Sequence, residues 1–585
     1  MQRLGGNQLS GIQKAGVIGV MLFHAAAAGV VAALFYYILG VHSGDKVQMI
    51  YFISLVGSIV FHLKNETYQA FVGKVLGWGI SAAILVTIAV VVGQVSMRLL
   101  GDWATVPGLI AGAILAAIWL KKASKTGKKI QAEQMEAGRK WQDYQQATGR
   151  TDADGQHMRG AQIAPAEWVS ERTKGESGET AGSIGGVPIP ARLEPYHFML
   201  SGGTGSGKSQ AFFELVRHAR ERGQRGIVVD VGGEFLKRFW KPGDTILNPT
   251  DARSAAWSPL AEMRGAWDAD KIAKSIVPDG VGAEKEWTHY AQVFISAILR
   301  RMSEAGDRRA SEFVRLCTVG SNEELAALVE GLPAASLFNP GAEKMLASVR
   351  GIVGTYLSPY AYLAESEDGF SVKEWMQGEG DSWLFLTVRD DQLSTLKPLI
   401  ACWVDVAISS LLSMEPDPDR RVWFLLDEFA SLGRIQSVEA LLTKARKQGG
   451  VGVLGIQSVA QLRETYGQHM SQTLMSCLGT WAVLRAPDQE TAEYMSKYLG
   501  EEEVLRVLNN EGYSNGGQQS SSSEGQSEQV ATRRLVMPSQ LQSLPDLQGY
   551  LNLIGDYPVC RIVVPVSNLP RNRAEGFIEA ERFKH

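Results

Sequence analysis

Apolar and polar positions divide the chain into two kinds of material. Between Lys14 and Asp45 thirty residues carry no Asp, Glu, Lys or Arg, and the run includes VVAALFYYILG. Lys74 and Arg98 bracket a second such run of 23 residues, and Asp102 and Lys121 bracket a third of 18. A weaker run of 17 lies between Lys46 and Lys64. A helix needs about 20 apolar residues to cross a bilayer core, so residues 1–120 read as a multi-helix transmembrane domain in the lipid bilayer. The last run is followed by KKASKTGKK, with five lysines in nine residues. Positive residues beside a span stay cytoplasmic, which places both the N-terminus (Arg3, Lys14) and everything after Lys121 on that side. The number of spans is then even. Four is the favoured count, and two satisfies the same parity if the middle segments are re-entrant or interfacial. Missing polar faces argue against a soluble bundle, and the length of the first run argues against a cleaved signal peptide.

Residues 121–183 are polar and rich in Gln, Gly and Glu, and read as a cytoplasmic linker with one possible helix, Ile130 to Ala147. Further on the pattern changes to short apolar, β-branched runs. Candidate strands are Phe198–Leu200, Gly226–Asp230, Ser382–Val388, Val422–Leu426, Val451–Ile456 and Trp481–Arg485. They alternate with helix-length stretches such as Leu396–Met414 and Ile435–Gln448, which predicts an α/β domain with a mostly parallel sheet covered on both faces. The stretch 259–376 breaks this rhythm. HYAQVFISAILRRM and EELAALVEGL repeat at helical spacing, so an all-α insertion domain is expected there, between two parts of the α/β domain, 184–258 and 377–585.

Composition alone conceals this. Of 585 residues 45% are hydrophobic and 21% charged, and the net charge is −4, which excludes collagen, a disordered acidic chain and a strongly basic nucleic-acid coat. Yet of 58 Lys and Arg and 62 Asp and Glu, only nine fall in residues 1–120. Mean hydropathy, −0.06, averages a charge-poor anchor with a charge-rich cytoplasmic part. Four widely spaced cysteines (Cys317, Cys402, Cys477, Cys560), with no CxxC and no HExxH, suit a reduced compartment and no Cys-based zinc site.

Candidate chemistry begins where the strand Phe198–Leu200 meets Gly202-Gly203-Thr204-Gly205-Ser206-Gly207-Lys208-Ser209, followed by a helix-like stretch. This is G-x-x-x-x-G-K-[ST] in the strand–loop–helix setting it requires. Glycines let backbone N–H groups curl around phosphate oxygens, and the helix N-terminus adds partial positive charge. Lys208 is expected to reach the β- and γ-phosphates of ATP, and Ser209 to ligate Mg²⁺. A plain glycine-rich turn leaves the Lys-Ser pair at the helix start unexplained. The second element is RRVWFLLDEF, an apolar strand ending in Asp427-Glu428, where open α/β sheets bind ligands. Asp427 is placed to hold Mg²⁺ through water, and Glu428 to polarise an attacking water. The bland alternative is an acidic pair on the surface.

Several ordered segments then carry a resemblance: the N-terminal spans, IGGVPIP (184–190), GGTGSGKS, DVGGEF (230–235), LNPTD (247–251), STLKPLI (394–400), RRVWFLLDE, KARKQGG (444–450), GIQS (455–458) and LPDLQGYLNLIGDYPV (544–559). Across nearly its whole length the chain resembles the type IV secretion coupling proteins of the TraD/TrwB kind, the membrane-anchored ATPases of conjugation. The resemblance implies a RecA-like P-loop NTPase that forms homohexamers in the bacterial inner membrane and takes single- or double-stranded DNA in a central channel. It also implies docking of a relaxase–DNA complex, the relaxosome, to the inner-membrane scaffold of a type IV secretion channel. Arg446 matches the family's proposed arginine finger, acting on a neighbouring subunit's nucleotide. Gln457 matches a sensor residue linking the γ-phosphate to DNA contacts. Alternatives are a solvated helix face for Arg446 and strand capping for Gln457.

The cytoplasmic part is not strongly basic, so DNA binding rests on local patches and backbone contacts. The low-complexity stretch 509–527, with NGGQQSSSSEGQS, is too hydrophilic to fold and reads as a mobile loop or pore-facing insertion. The chain ends at His585, so the long tail by which some relatives select relaxosomes is expected to be absent, leaving partner choice open. Two competing readings remain. One is an FtsK-like DNA translocase, which usually carries a C-terminal winged-helix reader. The other is a membrane substrate receptor using nucleotide mainly to assemble.

Overall fold

A computed structural model describes residues 156–177, 182–280, 282–365, 369–516 and 519–584. The expected membrane spans and the helix at 130–147 lie outside the described residues. Among the described residues, the stretch Asp390–Leu412 is the one helix long and apolar enough to cross a membrane, and it is mostly buried within the core.

Ten strands build one sheet. In chain order they are β1 (Ile163–Pro165), β2 (Phe198–Ser201), β3 (Arg225–Val231), β4 (Thr245–Leu247), β5 (Trp383–Val388), β6 (Val422–Leu426), β7 (Gly450–Ile456), β8 (Thr480–Val483), β9 (Gln548–Asn552) and β10 (Val559–Val563). Their order across the sheet is β1-β10-β9-β8-β2-β7-β6-β3-β5-β4. From β8 to β4 all seven strands run parallel, while β9 is antiparallel to both its neighbours. This is the α/β class expected from near-continuous apolar strands, which need cover on both faces.

The period-two alternation of strand side chains separates two cores. Phe198, Leu200, Val228, Phe385, Trp423 and Leu425 point to one face, where the helix Lys208–Glu221 buries Phe212, Leu215 and Val216. Met199, Val229, Leu386, Phe424 and Leu426 point to the other, where the helix Leu393–Leu412 packs together with the insertion. Between Pro259 and Gln377 the described residues are helical or irregular, with no strand, as the apolar spacing predicts. Glu262 pins the base of this insertion. Its buried carboxylate accepts from the Trp257 indole (2.7 Å), the Val372 and Lys373 amides (2.7 and 2.9 Å) and the Ser371 hydroxyl (2.9 Å). Burial pushes its pKa up despite these donors.

Two expectations are corrected. The linker does not extend to residue 183. Ile163–Pro165 pairs in parallel with β10 and forms an edge of the sheet, and Ala166–Ser177 is a helix. A three-residue strand between polar flanks is too short to stand out by periodicity. The low-complexity stretch is also not left unstructured: Glu501–Gly516 and Gln519–Arg534 pair antiparallel from end to end, and Gln156–Gly160 adds a third strand at the base. An antiparallel ladder satisfies its own N–H and C=O groups, so composition too polar for a core still permits it. The base is anchored by buried Val504 and by Arg533 on Glu502 at 3.0 Å.

Candidate functional site

The phosphate-loop strand β2 lies between β8 and β7, and β7 separates it from β6, the strand that carries the acidic pair. All four run parallel, so their carboxyl ends open on one edge of the sheet. The loop 202–207 leaves β2 there, and the helix Lys208–Glu221 starts immediately after it. Two contacts fix the loop's course from outside. The Gly203 amide donates to the Arg485 carbonyl beyond β8 (2.8 Å), and the Leu547 amide donates to the Ser206 carbonyl (2.9 Å). Gly207 has φ +103°, and a Cβ there would lie 2.8 Å from Leu547 Cδ2. Gly205 has φ +76° with nothing within 4 Å of such an added carbon. The loop is therefore backed by protein at Gly207 and open at Gly205, the form of a cradle for an anion.

Lys208 turns its ammonium back across the cradle. Nζ lies 3.2 Å from the Asp427 carbonyl oxygen, 3.3 Å from Asp427 Oδ1 and 3.9 Å from Glu428 Oε1. Ser209 Oγ donates to Asp427 Oδ2 at 2.9 Å. Asp427 Oδ1 is buried and accepts no hydrogen bond of good geometry, although the ammonium stands beside it. Gln457, the first residue after β7, donates from Nε2 to Glu428 Oε1 at 2.6 Å. Gly455 explains how β7 comes so close, since a Cβ there would lie 2.0 Å from the Asp427 carbonyl oxygen.

Lys208, Ser209, Asp427, Glu428 and Gln457 are thus brought together. A serine hydroxyl beside a carboxylate with a spare acceptor oxygen suits Mg²⁺, which prefers hard oxygen ligands and is usually held by one or two carboxylates plus phosphate and water. Among the described residues no group of three or more His, Cys, Asp or Glu is placed to hold a metal ion.

Arg446 is not part of this cluster. It sits in the short turn Ala445–Gln448 before β7, whereas Gln457 follows β7. At about 3.3 Å per residue, roughly 20 Å of strand separates the two ends. Arg446 is exposed, with its guanidinium carbon 4.0 Å from the centroid of the Tyr196 ring.

Sequence reasoning missed several residues. Arg485 and Leu547 act on the loop through their backbones, and side-chain chemistry gives no signal of that. Asp230, inside DVGGEF, is fully buried at the end of β3 and accepts from the Phe235 and Leu236 amides at 3.1 and 2.7 Å, capping a short helix. Burial pushes its carboxyl up to about 7. The four cysteines are free thiols.

Comparison with known proteins gives concordant matches. The family model of the type IV secretion-system coupling protein DNA-binding domain matches residues 181–565. The chain is 33% identical over 396 residues to the coupling protein TraD of Escherichia coli (strain K12), covering 66% of this chain and 55% of that protein. It is 30% identical over 304 residues to the protein VirD4 of Rhizobium rhizogenes, covering 47% of this chain and 45% of the relative. The chain thus spans about half the length of these curated relatives. Among solved structures, plasmid coupling protein TrwB in complex with ADP and Mg²⁺ superposes with a TM-score of 0.66 at 32% identity, over 72% of this chain and 98% of that one. TrwB with a non-hydrolysable ATP analogue superposes equally well, over 73% and 98%. The α/β part of the chain is accordingly a RecA-like NTPase core.

Proposed function

The chain belongs to the type IV secretion-system coupling proteins, and from that premise we propose that it is a membrane-anchored ATPase of conjugation. In this reading it docks a relaxase–DNA complex to a type IV secretion channel and drives single- or double-stranded DNA through a homohexameric ring. Its four-span or two-span anchor sits in the bacterial inner membrane, with the N-terminus and the motor in the cytoplasm. The observation that carries this reading is the convergence of Lys208, Ser209, Asp427, Glu428 and Gln457 at the carboxyl ends of β2, β6 and β7.

Each group has a separable task. The N–H groups of the cradle and the Lys208 ammonium hold the β- and γ-phosphates. Ser209 and Asp427 are the residues that would hold Mg²⁺. When bound, the ion supplies positive charge that stabilises the departing phosphates. Glu428 orients the attacking water and takes up its proton at a carboxylate oxygen, with Gln457 fixing the other oxygen. Arg446, at the opposite edge of the sheet, would act on the nucleotide of an adjoining subunit, where a guanidinium stabilises transition-state charge.

The test is ATP turnover by the full-length protein with and without DNA, together with a mating assay. DNA-stimulated turnover that Glu428→Gln abolishes, along with transfer, is the expected result. Transfer at the normal rate in Glu428→Gln would favour a receptor that uses nucleotide only to assemble.

A further inference from the structure

We propose that Tyr196 is a positioning residue for Arg446, its ring holding the guanidinium at the amino edge of the sheet for use by a neighbouring copy of the chain. The inference rests on the trans-acting reading of Arg446.

The placement follows from topology. Tyr196 ends a short helical turn, Ala191–Tyr196, two residues before β2, and Arg446 lies in the turn Ala445–Gln448 before β7. Strands β2 and β7 are parallel neighbours, so the segments entering them meet at one edge. There the guanidinium carbon stands 4.0 Å from the ring centroid. Among the described residues no carboxylate lies within ion-pair distance of Arg446. Nearby arginines do pair, Arg421 with Glu194 at 3.3 Å and Arg420 with Asp417 at 3.4 Å. The difference matters chemically. An ion pair consumes the in-plane N–H donors of a guanidinium, whereas stacking on a ring uses its face and leaves those donors available for phosphate oxygens. The ring also restricts a long, flexible side chain before it meets its target, lowering the cost of orienting it.

The platform is itself held firmly. The Tyr196 carbonyl accepts from the Gly479 amide at 2.7 Å, and the His197 carbonyl accepts from the Thr480 amide at 3.1 Å. His197 is buried with φ +65°. Its Nδ1 accepts from the Gly452 amide (3.0 Å) and its Nε2 donates to the Leu442 carbonyl (3.1 Å). One imidazole therefore ties down the two segments flanking the Arg446 turn, the end of the helix Val438–Lys444 and the start of β7.

The experiment measures DNA-stimulated ATP turnover by the full-length protein with Tyr196→Phe, Tyr196→Leu, Arg446→Ala and Tyr196→Leu/Arg446→Ala. Tyr196→Leu keeps apolar bulk and removes the ring, so it should lower kcat about fivefold, equivalent to about 1 kcal/mol, with KM for ATP unchanged. Tyr196→Phe should stay within about twofold of the unaltered protein, and Tyr196→Leu should have no further effect once Arg446 is Ala. In mixed rings, Lys208→Ala subunits, which keep their own Arg446, should restore turnover per intact site to Tyr196→Leu subunits. Normal kcat in Tyr196→Leu alongside a defective Arg446→Ala overturns the positioning role alone, as do additive losses in the double variant. Normal turnover in Arg446→Ala overturns the trans reading and this inference with it.

Discussion

Gln457 and Glu428 face each other at the carboxyl ends of adjoining parallel strands, the amide Nε2 2.6 Å from carboxylate Oε1. The bond restricts rotation of a side chain that is 36% exposed, and the same oxygen, Oε1, stands 3.9 Å from the Lys208 ammonium. Gln457→Ala should therefore lower kcat about tenfold while leaving the KM for ATP within a factor of two, because positioning is lost and phosphate binding is not. Steady-state turnover of the full-length protein checks this. A variant with unaltered kcat would show that the contact serves only to cap the strand.

Lys208 supplies the cation for a carboxylate that is only 14% exposed, and it is itself 7% exposed. Lys208→Ala removes the proposed phosphate contact and takes the ammonium from beside Asp427. ATP at about 100 times Kd stabilises a folded protein by about 2.7 kcal/mol. The ATP-dependent rise in melting temperature expected of the unaltered protein should vanish in Lys208→Ala, and DNA transfer should vanish with it. Membrane association, which the proposed function assigns to residues 1–120, should persist in a fractionation assay. A retained ATP-dependent shift would remove Lys208 from the site.

Much of this geometry was readable from the chain because its chemistry lies in short contiguous motifs. GGTGSGKS and LLDE each carry their own secondary-structure context, and the parallel sheet places both at one edge. The helical character of residues 259–377 was readable from a change of apolar period. What could not be read is long-range and backbone-mediated. That β7 lies between β2 and β6, setting Gln457 against Glu428, depends on strand order rather than on local pattern. The backing of the loop by Arg485 and Leu547 uses amide and carbonyl groups that every residue has. The three-residue strand β1 and the polar hairpin failed for a related reason: their pairing is satisfied by main-chain hydrogen bonds with little apolar signature.

Gly207→Ala tests the backing of the cradle. The residue has φ +103°, and its added carbon would lie 2.8 Å from Leu547 Cδ2 and 3.2 Å from Leu547 Cα. A left-handed backbone at a residue with Cβ costs about 1–3 kcal/mol, and the backbone contact cannot be relieved by rotating a side chain. ATP binding should weaken by at least tenfold, measured by titration of a fluorescent ATP analogue. The double variant Gly207→Ala/Leu547→Ala should recover little of it, because the Leu547 Cα and the backbone strain both remain. Full recovery in the double variant would mean that the Leu547 side chain alone sets the loop's shape.

His197 makes stability depend on pH in a definite direction. Burial lowers its pKa from 6.5 to about 4; the Leu442 carbonyl opposes that shift and the Arg446 charge adds to it. The neutral ring is the form that fits, because Nδ1 must accept from the Gly452 amide. The unfolded chain therefore binds this proton more readily than the folded one. Its contribution is fully present above about pH 6.5 and is lost as pH falls from there toward 4, by roughly 3 kcal/mol over the whole window. Other groups titrate in the same range, so the comparison is between the unaltered protein and His197→Asn. Asparagine tolerates a left-handed backbone and does not titrate. His197→Asn should be the less stable protein at pH 7.5, having lost a buried two-sided hydrogen bond, and the gap in melting temperature should narrow steadily down to pH 4.5. A gap that stays constant from pH 7.5 to 4.5 would mean that the ring takes up its proton without leaving its place between Gly452 and Leu442.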